Sequence, residues 1–460
     1  MIRRIMGIET EYGLTCFSPH VDEVKTAEEV AQLLFRPVVQ KSHSTNLFLP
    51  NGGRLYLDVG AHPEYATAEC DNVRDLIAQD RAGDMLFSEM VRDANEELAR
   101  EGSQAQIHLF KNNSDSHGHS YGCHENYLVR RSRNFRAHIS SMIPFYVTRQ
   151  IVCGAGNIYV NENGEAHYEF SARADQMFDA ISAASTRTRP MVNTRDEPHA
   201  DSDHYRRMHV IVGDSNMSQI TTALKVVMTD LILMMFDAGG ELPDLSLKDP
   251  VDAIRVVSKD MSGKTPLEGS SSSYCALDIQ RIIYEKTLSF LKEKGYEADF
   301  SDDYKYFIDL WERVLVGVEN ENWQSISAEI DWAAKYFLLH RYKERSLREW
   351  NDPAILRLNL AYHDVTSAGL RASMEKQGLL KTFVDADKIE EATRVPPQTT
   401  RAVLRGAFID KAWKTRKDYV TDWMNLRLLE AKGTRSILLK DPFATKDENF
   451  EELMREMDQK

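Results

Sequence analysis

The sequence predicts an α+β protein. Strand-like alternation and helical apolar stripes are interspersed in the first half of the chain, and helical patterns dominate from about residue 278 to residue 375. Pro396-Pro397 interrupts the helical region, because a residue before proline disfavours helical backbone. We therefore expect a large domain over residues 1–395 and a small one over residues 396–460.

Individual elements follow from the period of the apolar residues and from turn and cap signals. Strands are predicted near residues 5–13, 47–59 around the turn at 51–53, 106–111, 125–130, 208–212, 419–426 and 435–439. Helices are predicted over 26–35, 73–98 and 399–413, and from a cap at Asp214 or Asn216 to Ala238. Because Lys225 and Asp230 interrupt its apolar stretch, the last of these is expected to be a buried core helix, not a membrane span.

Composition and charge exclude several classes of protein. Hydrophobic residues make up 42% of the 460 residues, and 57 basic residues against 71 acidic ones give a net charge of −14. That balance argues against a nucleic-acid binder and against an anionic membrane surface. Five scattered cysteines without a C-x-x-C pair, and no apolar stretch after the N-terminal arginines, favour a reducing cytoplasm.

One predicted strand has an unusual polar face. Arg54, Tyr56 and Asp58 occupy every second position, so their side chains point the same way, and Leu55, Leu57 and Val59 point the other way. A solvated strand face with a salt bridge would have the same pattern. The floor of an active site is the alternative.

Other predicted strands add metal-type ligands. Glu9 and Glu11 share one strand face and would repel without a nearby cation, and carboxylate oxygens suit Mg²⁺. His124 and His209 lie on two further strands, and imidazole can share a divalent-metal site with carboxylates. Taken singly, the two glutamates could be exposed on an edge strand, and each histidine could have a purely structural role.

Phosphate-binding loops of the usual kind are missing from the sequence. SGKT at 262–265 resembles the end of a P-loop, but Ser258 stands where the upstream glycine is required. Arg195 and Arg206-Arg207 are candidates for phosphate contacts, since guanidinium binds phosphate bidentately. A nucleotide would have to be held by metals and arginines on a sheet.

Long ordered blocks resemble the Pup ligase and depupylase family, within the glutamine-synthetase-like carboxylate–amine ligases. They are MGIETEYG, RLYLDVGAHPEYATAEC, SYGCHENY, NTRDEPHAD, HVIVGDSN, LAYHD and PPQTTRA, and the resemblance runs from Arg3 to about Phe443. It implies a large glutamine-synthetase-like domain, in which a curved, mainly antiparallel sheet forms a cradle backed by helices. A small C-terminal α/β domain would pack against it and contact ATP.

The resemblance also implies a reaction. With ATP and Mg²⁺, such a ligase phosphorylates the side-chain carboxylate of the C-terminal glutamate of Pup, a disordered acidic protein. A lysine of a target protein then attacks the γ-glutamyl phosphate, and the isopeptide-tagged target goes to the bacterial proteasome. We expect a cytoplasmic monomer whose partners are Pup and lysine-bearing proteins, with no nucleic acid and no membrane.

Residue roles carry over position by position. Asp58 falls on the catalytic aspartate. The metal positions are Glu9, Tyr56 and Glu64, and a second metal group resembles Glu11, His124 and His209. The ATP contacts are Arg54, Thr67 and Trp423, and Arg195 and Arg207 are expected at phosphate or at Pup. A basic groove for Pup is expected at Arg206-Arg207 or among Lys411, Lys414, Arg416 and Lys417, which would equally suit a solvated face.

Three alternatives remain. A depupylase hydrolyses the same bond, but it resembles M-G-T-E at its start and has a long insertion before the Y-x-D strand; this chain starts MGIE and has no such insertion between Gly13 and Leu47. A small-molecule carboxylate–amine ligase would have a closed site, and a non-catalytic binding module would tolerate substitution of Asp58.

Overall fold

The structure is a computed structural model that describes residues 3–58, 60–114, 120–184, 189–430 and 433–458. Its strands are β1 (Met6–Glu11), β2 (Gly13–Phe17), β3 (Asn46–Phe48), β4 (Arg54–Asp58), β5 (His62–Ala66), β6 (Gln106–Phe110), β7 (Cys123–Arg130), β8 (Asn157–Val160), β9 (Ala166–Glu169), β10 (Asp179–Ser182), β11 (Pro190–Asn193), β12 (Tyr205–Val210), β13 (Leu267–Glu268), β14 (Ser273–Tyr274), β15 (Asp418–Thr421), β16 (Asn425–Glu430) and β17 (Gly433–Leu438). Its α-helices span Ala27–Ser42, Val73–Arg100, Phe135–Thr148, Gln150–Cys153, Gln219–Asp237, Pro250–Lys259, Ala276–Glu293, Asp302–Glu319, Asp331–Ser346, Pro353–Tyr362, Arg371–Lys376, Ala386–Ala392, Ala402–Thr415 and Glu448–Glu456.

The central element is a sheet of eight strands in the order β10-β11-β12-β7-β1-β5-β4-β3. Every neighbouring pair is antiparallel except β10 and β11, which are parallel. Helices Val73–Arg100 and Gln219–Asp237 contribute to the apolar core that backs the sheet. The α+β prediction with a mainly antiparallel sheet backed by helices is therefore confirmed.

The two faces of the sheet differ as the alternation predicted. In β1, Ile8 and Thr10 are buried, and Glu9 and Glu11 are only partly buried on the opposite face. In β4, Leu55 is buried between the partly exposed Arg54 and Tyr56. Val59, predicted on the apolar side of this strand, lies outside the described residues. The polar face of the sheet is thus open for a site.

The helix Gln219–Asp237 begins at a different cap from the predicted one. The hydroxyl of Ser218 accepts the N–H of Thr221 at 3.2 Å. Asp214 is not the cap, because its carboxylate accepts the Ala155 N–H at 2.8 Å, and Asn216 is not, because its amide donates to the Cys153 carbonyl. The helix is long and apolar enough to cross a bilayer, but its apolar stretch is wholly buried within the protein.

The C-terminal segment forms a three-stranded antiparallel sheet, β15-β16-β17, where two strands were predicted. The predicted strand over 419–426 is divided by a turn, in which the Asp422 carboxylate accepts the N–H groups of Met424 and Asn425, both at 2.8 Å. Leu404, Phe408 and neighbouring apolar residues of this segment form a core cluster that also includes Phe48 of β3. The domain division at residue 396 stays a prediction.

Candidate active site

Acidic and imidazole side chains from neighbouring strands meet on the open face of the sheet. Strand register places Glu9 opposite His124, and Glu11 opposite Glu64. Two groups of potential metal ligands result, Glu9 with His124 and His209, and Glu11 with Glu64 and His124; within each group the ligand atoms lie within 4.8 Å of one another. The sequence reasoning proposed these five residues, and the fold brings all of them together.

Glu9 lies at the centre of the first group. Its carboxylate is 3.4 Å from Nδ1 of His124 and 3.6 Å from Nε2 of His209. Asn126 donates to it at 3.2 Å, and Arg207 lies at 3.6 Å. Burial alone would raise the pKa of Glu9, but the hydrogen bond with His124 and the positive charge of Arg207 lower it well below its ordinary value. Glu9 is therefore a carboxylate at neutral pH.

The second group concentrates negative charge. Glu11 lies 3.9 Å from Nε2 of His124 and accepts the Gly122 N–H at 2.8 Å. Burial raises the pKa of Glu64 well above its ordinary value, and the charges of Glu9 and Glu11 act in the same direction. A proton or a cation is needed for these carboxylates to share the site.

His209 adds an unsatisfied group to the cluster. Among the residues that the structure describes, no hydrogen-bond partner meets its buried Nε2. Burial lowers its pKa to about 3, so its imidazole is neutral at physiological pH. A neutral imidazole nitrogen beside several carboxylate oxygens suits a divalent cation, and imidazole and carboxylate ligands together accommodate such a metal.

The side chains of β4 extend the polar face. The guanidinium of Arg54 lies 4.1 Å from the centre of the Tyr56 ring, and its Nε donates to Asn46 at 2.7 Å. Burial raises the pKa of Tyr56 well above its ordinary value, as do the charges of Glu9 and Glu64, so the phenol stays protonated without a cation. Asp58 is exposed at the end of β4, opposite His62 in the register.

Two large cavities meet at the ligand cluster. The first, of about 1010 Å³, is lined by Glu11, Asp58 and Glu64, and we call it the carboxylate cavity. The second, of about 1050 Å³, is lined by Arg54 and Trp423, and we call it the arginine cavity. Glu9, Tyr56 and His209 line both.

A narrow slot of about 80 Å³ continues from the arginine cavity towards the sheet and is lined by Thr67, His199, Arg207 and Trp423. Thr67 is buried, and its hydroxyl accepts the Ile8 N–H at 3.0 Å. The ring of Trp423 packs edge-to-face on Phe48 at 4.9 Å. Sequence reasoning missed His199, whose pKa burial lowers to about 4.

The candidate basic residues are dispersed. Arg195 lines the arginine cavity and pairs with Glu197 at 2.7 Å, and Arg207 lies near Glu9. Arg206 instead lies over the Phe135 ring at 5.0 Å and near Asp196, so its side chain is directed away from Arg207 and the cluster. Lys411 and Lys414 pair with Asp458 and Asp410, both within the C-terminal segment, whereas Arg416 and Lys417 line the arginine cavity.

Sequence reasoning also missed a buried junction beneath Trp423. Glu69 accepts Nε of Arg401 at 2.8 Å and Nη1 of Arg405 at 2.9 Å. Arg405 also donates to the Trp423 carbonyl at 3.1 Å and lies 4.9 Å from the centre of its ring. Thr67 and Glu69 are two residues apart, a spacing that hinted at a shared face, but no local pattern indicated partners more than 300 residues away.

A mainly antiparallel sheet whose open face carries acidic and imidazole ligands, between a carboxylate-lined and an arginine-lined cavity, has the features of a phosphate-handling enzyme with a cation site. Comparison with known proteins agrees with this class. The family model described as Pup-ligase protein matches residues 4–427, and the chain belongs to this family.

Curated relatives match over nearly the whole length. A Pup–protein ligase of Sanguibacter keddieii is 47% identical over 99% of this chain and 99% of its own length. A Pup–protein ligase of Rhodococcus opacus is 46% identical over 99% of this chain and 100% of its own length.

Solved structures match in fold as well. The structure of the complex between the prokaryotic ubiquitin-like protein Pup and its ligase PafA superposes with a TM-score of 0.92 and 41% identity, covering 99% of this chain and 91% of that chain. The Pup ligase PafA in complex with ADP superposes with a TM-score of 0.85 and 40% identity, covering 96% of this chain and 95% of that chain.

Proposed function

We propose that the protein is an ATP-dependent ligase that joins the side-chain carboxylate of the C-terminal glutamate of Pup to a lysine of a target protein. The observation that carries the proposal is the ligand cluster between two cavities, in a chain matched from end to end by Pup–protein ligases. The carboxylate cavity takes the Pup glutamate and the target lysine, and the arginine cavity takes ATP. Conjugates made in this way are destined for the bacterial proteasome.

Magnesium is assigned to the ligand cluster. By the family resemblance, Glu9, Tyr56 and Glu64 would hold one ion, and Glu11, His124 and His209 would contribute to a second position. The distances group the same side chains differently, as Glu9 with His124 and His209, and Glu11 with Glu64 and His124. The unsatisfied Nε2 of His209 and the raised pKa of Glu64 support this assignment, because a cation relieves both. Ions held there would neutralise charge on the phosphates during transfer.

Arginine, threonine and tryptophan side chains hold the nucleotide. Arg54 and Arg207 reach the phosphates from the arginine cavity, and Arg195 is a further phosphate or Pup contact. Thr67 and Trp423 border the slot that takes the base and ribose end. The Trp423 contact comes from the C-terminal segment, which we treat as a small domain over residues 396–460.

The chemistry has two steps. An oxygen of the glutamate side chain attacks the γ-phosphorus of ATP, forming a γ-glutamyl phosphate and releasing ADP. The lysine amine then attacks the acyl carbon, the isopeptide bond forms and phosphate leaves. A lysine is mostly protonated at neutral pH, with a pKa of about 10.4. Asp58, exposed at the end of β4 in the carboxylate cavity, takes the amine proton as the bond forms.

Cellular context follows from the same reasoning. We assign the protein to the cytoplasm, where Cys16, Cys70, Cys123 and Cys153 would stay reduced; all are buried free thiols. We expect it to act as a monomer, so that the open cradle admits a folded target.

The test is an intact-mass measurement on purified components. The protein is mixed with Mg-ATP, Pup ending in glutamate and a lysine-bearing target, and we expect the target to gain the mass of Pup less water, with one ADP per conjugate. Pup ending in glutamine is the matched control and should give no conjugate. Release of Pup from a preformed conjugate without net ATP use would favour a depupylase, and turnover of free glutamate with small amines would favour a small-molecule ligase.

A further inference from the structure

Two arginines line the carboxylate cavity together with Glu11, Asp58 and Glu64. Arg173 follows β9 in the chain, and Arg189 immediately precedes β11. The two side chains lie close enough that the positive charge of Arg189 acts to lower the pKa of Arg173. Sequence reasoning did not select either residue, and the roles proposed above do not use them.

Neither guanidinium forms a direct ion pair with a carboxylate among the residues that the structure describes. Arg173 donates from Nη1 to the Tyr121 carbonyl at 2.6 Å, and Arg189 donates from Nη1 to the Gln176 side-chain carbonyl at 3.3 Å. Within the described part of the chain, no carboxylate oxygen lies within 4.0 Å of either group. Both known partners are neutral oxygens, which leaves donors on both guanidiniums for a ligand.

Arg173 is unusually placed for an unpaired cation. Its residue is only 2% exposed, and its Nε meets no hydrogen-bond partner among the described residues. Burial lowers its pKa; the charges of Glu11 and Asp214 oppose this shift, and the charge of Arg189 adds to it. A buried guanidinium without a directly bonded carboxylate costs free energy, so an anion that enters the cavity would be bound there.

The substrate of the proposed reaction supplies such an anion. A C-terminal glutamate has two carboxylates, one on its side chain and one at the chain terminus, and only the former is joined to lysine. The enzyme must hold the terminal carboxylate away from the phosphate that is transferred. A guanidinium binds a carboxylate through two parallel hydrogen bonds, which fix the orientation of the carboxylate in addition to balancing its charge.

We propose that Arg173 and Arg189 bind the main-chain terminal carboxylate of the substrate glutamate and so select its side-chain carboxylate for activation. This inference rests on the proposed ligase function. The two residues would then determine specificity for the C-terminal glutamate of Pup. It also predicts that the enzyme requires a free C-terminus and not merely a glutamate side chain at the last position.

The experiment compares two forms of Pup in the intact-mass assay. One ends in glutamate, and the other ends in glutamate whose main-chain carboxylate is a carboxamide while the side chain stays free. A hydrogen bond to a charged group contributes roughly 1.5–3 kcal/mol, so we expect kcat/KM for the amide to be about 10–150-fold lower. Equal kcat/KM for the two forms would overturn the inference while leaving the ligase function intact, whereas absence of conjugate with either form would overturn the ligase function itself.

Variants then assign the discrimination to the arginines. Arg189→Gln should lower kcat/KM for free-acid Pup by about 10-fold or more and change the amide form little, so the ratio of the two falls towards one. Arg189→Lys should restore part of the ratio, because it keeps the charge without the planar fork. Arg206→Gln is the matched control and should leave the ratio unchanged, because the Arg206 side chain lies over Phe135 and near Asp196, away from the cavity.

Arg173→Gln provides a second readout. Because Arg173 is buried, its replacement could destabilise the fold, so thermal unfolding is measured for each variant first. Arg189 is partly exposed, so Arg189→Gln still tests the inference if Arg173→Gln does not fold. A folded Arg173→Gln protein should also lose the preference for the free terminus. An undiminished preference in both glutamine variants would refute the assignment.

Discussion

Replacing Glu69 by glutamine should weaken the junction between the sheet and the C-terminal segment. Glu69 accepts hydrogen bonds from Arg401 and Arg405, and both guanidiniums are almost fully buried. Arg405 supports Trp423 through its carbonyl and its ring, and Arg401 donates to the carbonyl of His199. The variant leaves two buried cations without their carboxylate while changing the side-chain volume very little.

The magnitude follows from the pKa of Glu69. Burial acts to raise it, but the charges of Arg405 and Arg401 outweigh burial and lower it from 4.5 to about 2. A difference of about 2.5 units, at 1.36 kcal/mol each, corresponds to roughly 3 kcal/mol of stability at neutral pH. Since the folded-state pKa is depressed, this contribution is complete above about pH 4.5 and is lost as the pH falls towards 2. Removal of one partner of a buried pair costs a similar ~3–5 kcal/mol.

Urea unfolding followed by tryptophan fluorescence measures the free energy of unfolding. Calorimetric titration with ADP measures the affinity of the nucleotide for the slot beside Trp423. We expect Glu69→Gln to lower the free energy of unfolding by about 3 kcal/mol at pH 7, with a smaller difference near pH 3. Its affinity for ADP should fall as well, because Trp423 and His199 border the slot.

Glu329→Gln is the matched control. Glu329 is also buried and accepts hydrogen bonds from Arg313 and Lys381, but it does not line the cavities described above. It should lose stability without losing ADP affinity. Equal affinity loss in both variants would show that stability alone is responsible, and full ADP affinity in Glu69→Gln would refute the role of the junction.

Three further changes test the site and the core. Asp58→Asn should keep its ADP affinity but reduce conjugate formation by about 10²–10⁴-fold, as measured by intact mass, because the amine loses its proton acceptor; full ligation would remove Asp58 from the mechanism. Glu9→Gln should shift the Mg²⁺ dependence of ADP release to at least about 10-fold higher concentration, and an unchanged dependence would exclude Glu9 as a ligand. Gly83→Ala should cost about 1–3 kcal/mol in urea unfolding, since a Cβ there would lie 2.3 Å from the Tyr65 ring, whereas Gly317→Ala, with its nearest neighbour at 3.4 Å, should cost little; equal stabilities would contradict this packing argument.

Local pattern predicted the strands of the site but not their pairing. The alternation in β1 and β4 correctly separated polar from apolar faces, because side-chain direction in a strand depends only on sequence parity. The ligand types on separate strands suggested a shared metal site, but that Glu9 lies opposite His124 depends on how distant strands pair, which the strand pattern does not give. The register of a sheet is set by tertiary packing as much as by its own residues.

Contacts between distant segments were the least predictable. The partners of Glu69 are 332 and 336 residues away, and nothing in the local sequence distinguishes it from a surface glutamate. The cap at Ser218 was missed because Asp214 and Asn216 are also good capping residues, and the choice depends on which of them is already used in tertiary hydrogen bonds.

The meeting of two cavities at one cluster separates the routes of small and large molecules. Under the proposed function, a folded target would present its lysine from the side of Asp58, and the nucleotide would enter and leave past Arg54 and Trp423. ADP could therefore be replaced by ATP while a bulky conjugate still covers the opening of the carboxylate cavity. The order of product release would then depend on how fast each product dissociates from its own cavity, because neither product would block the exit of the other.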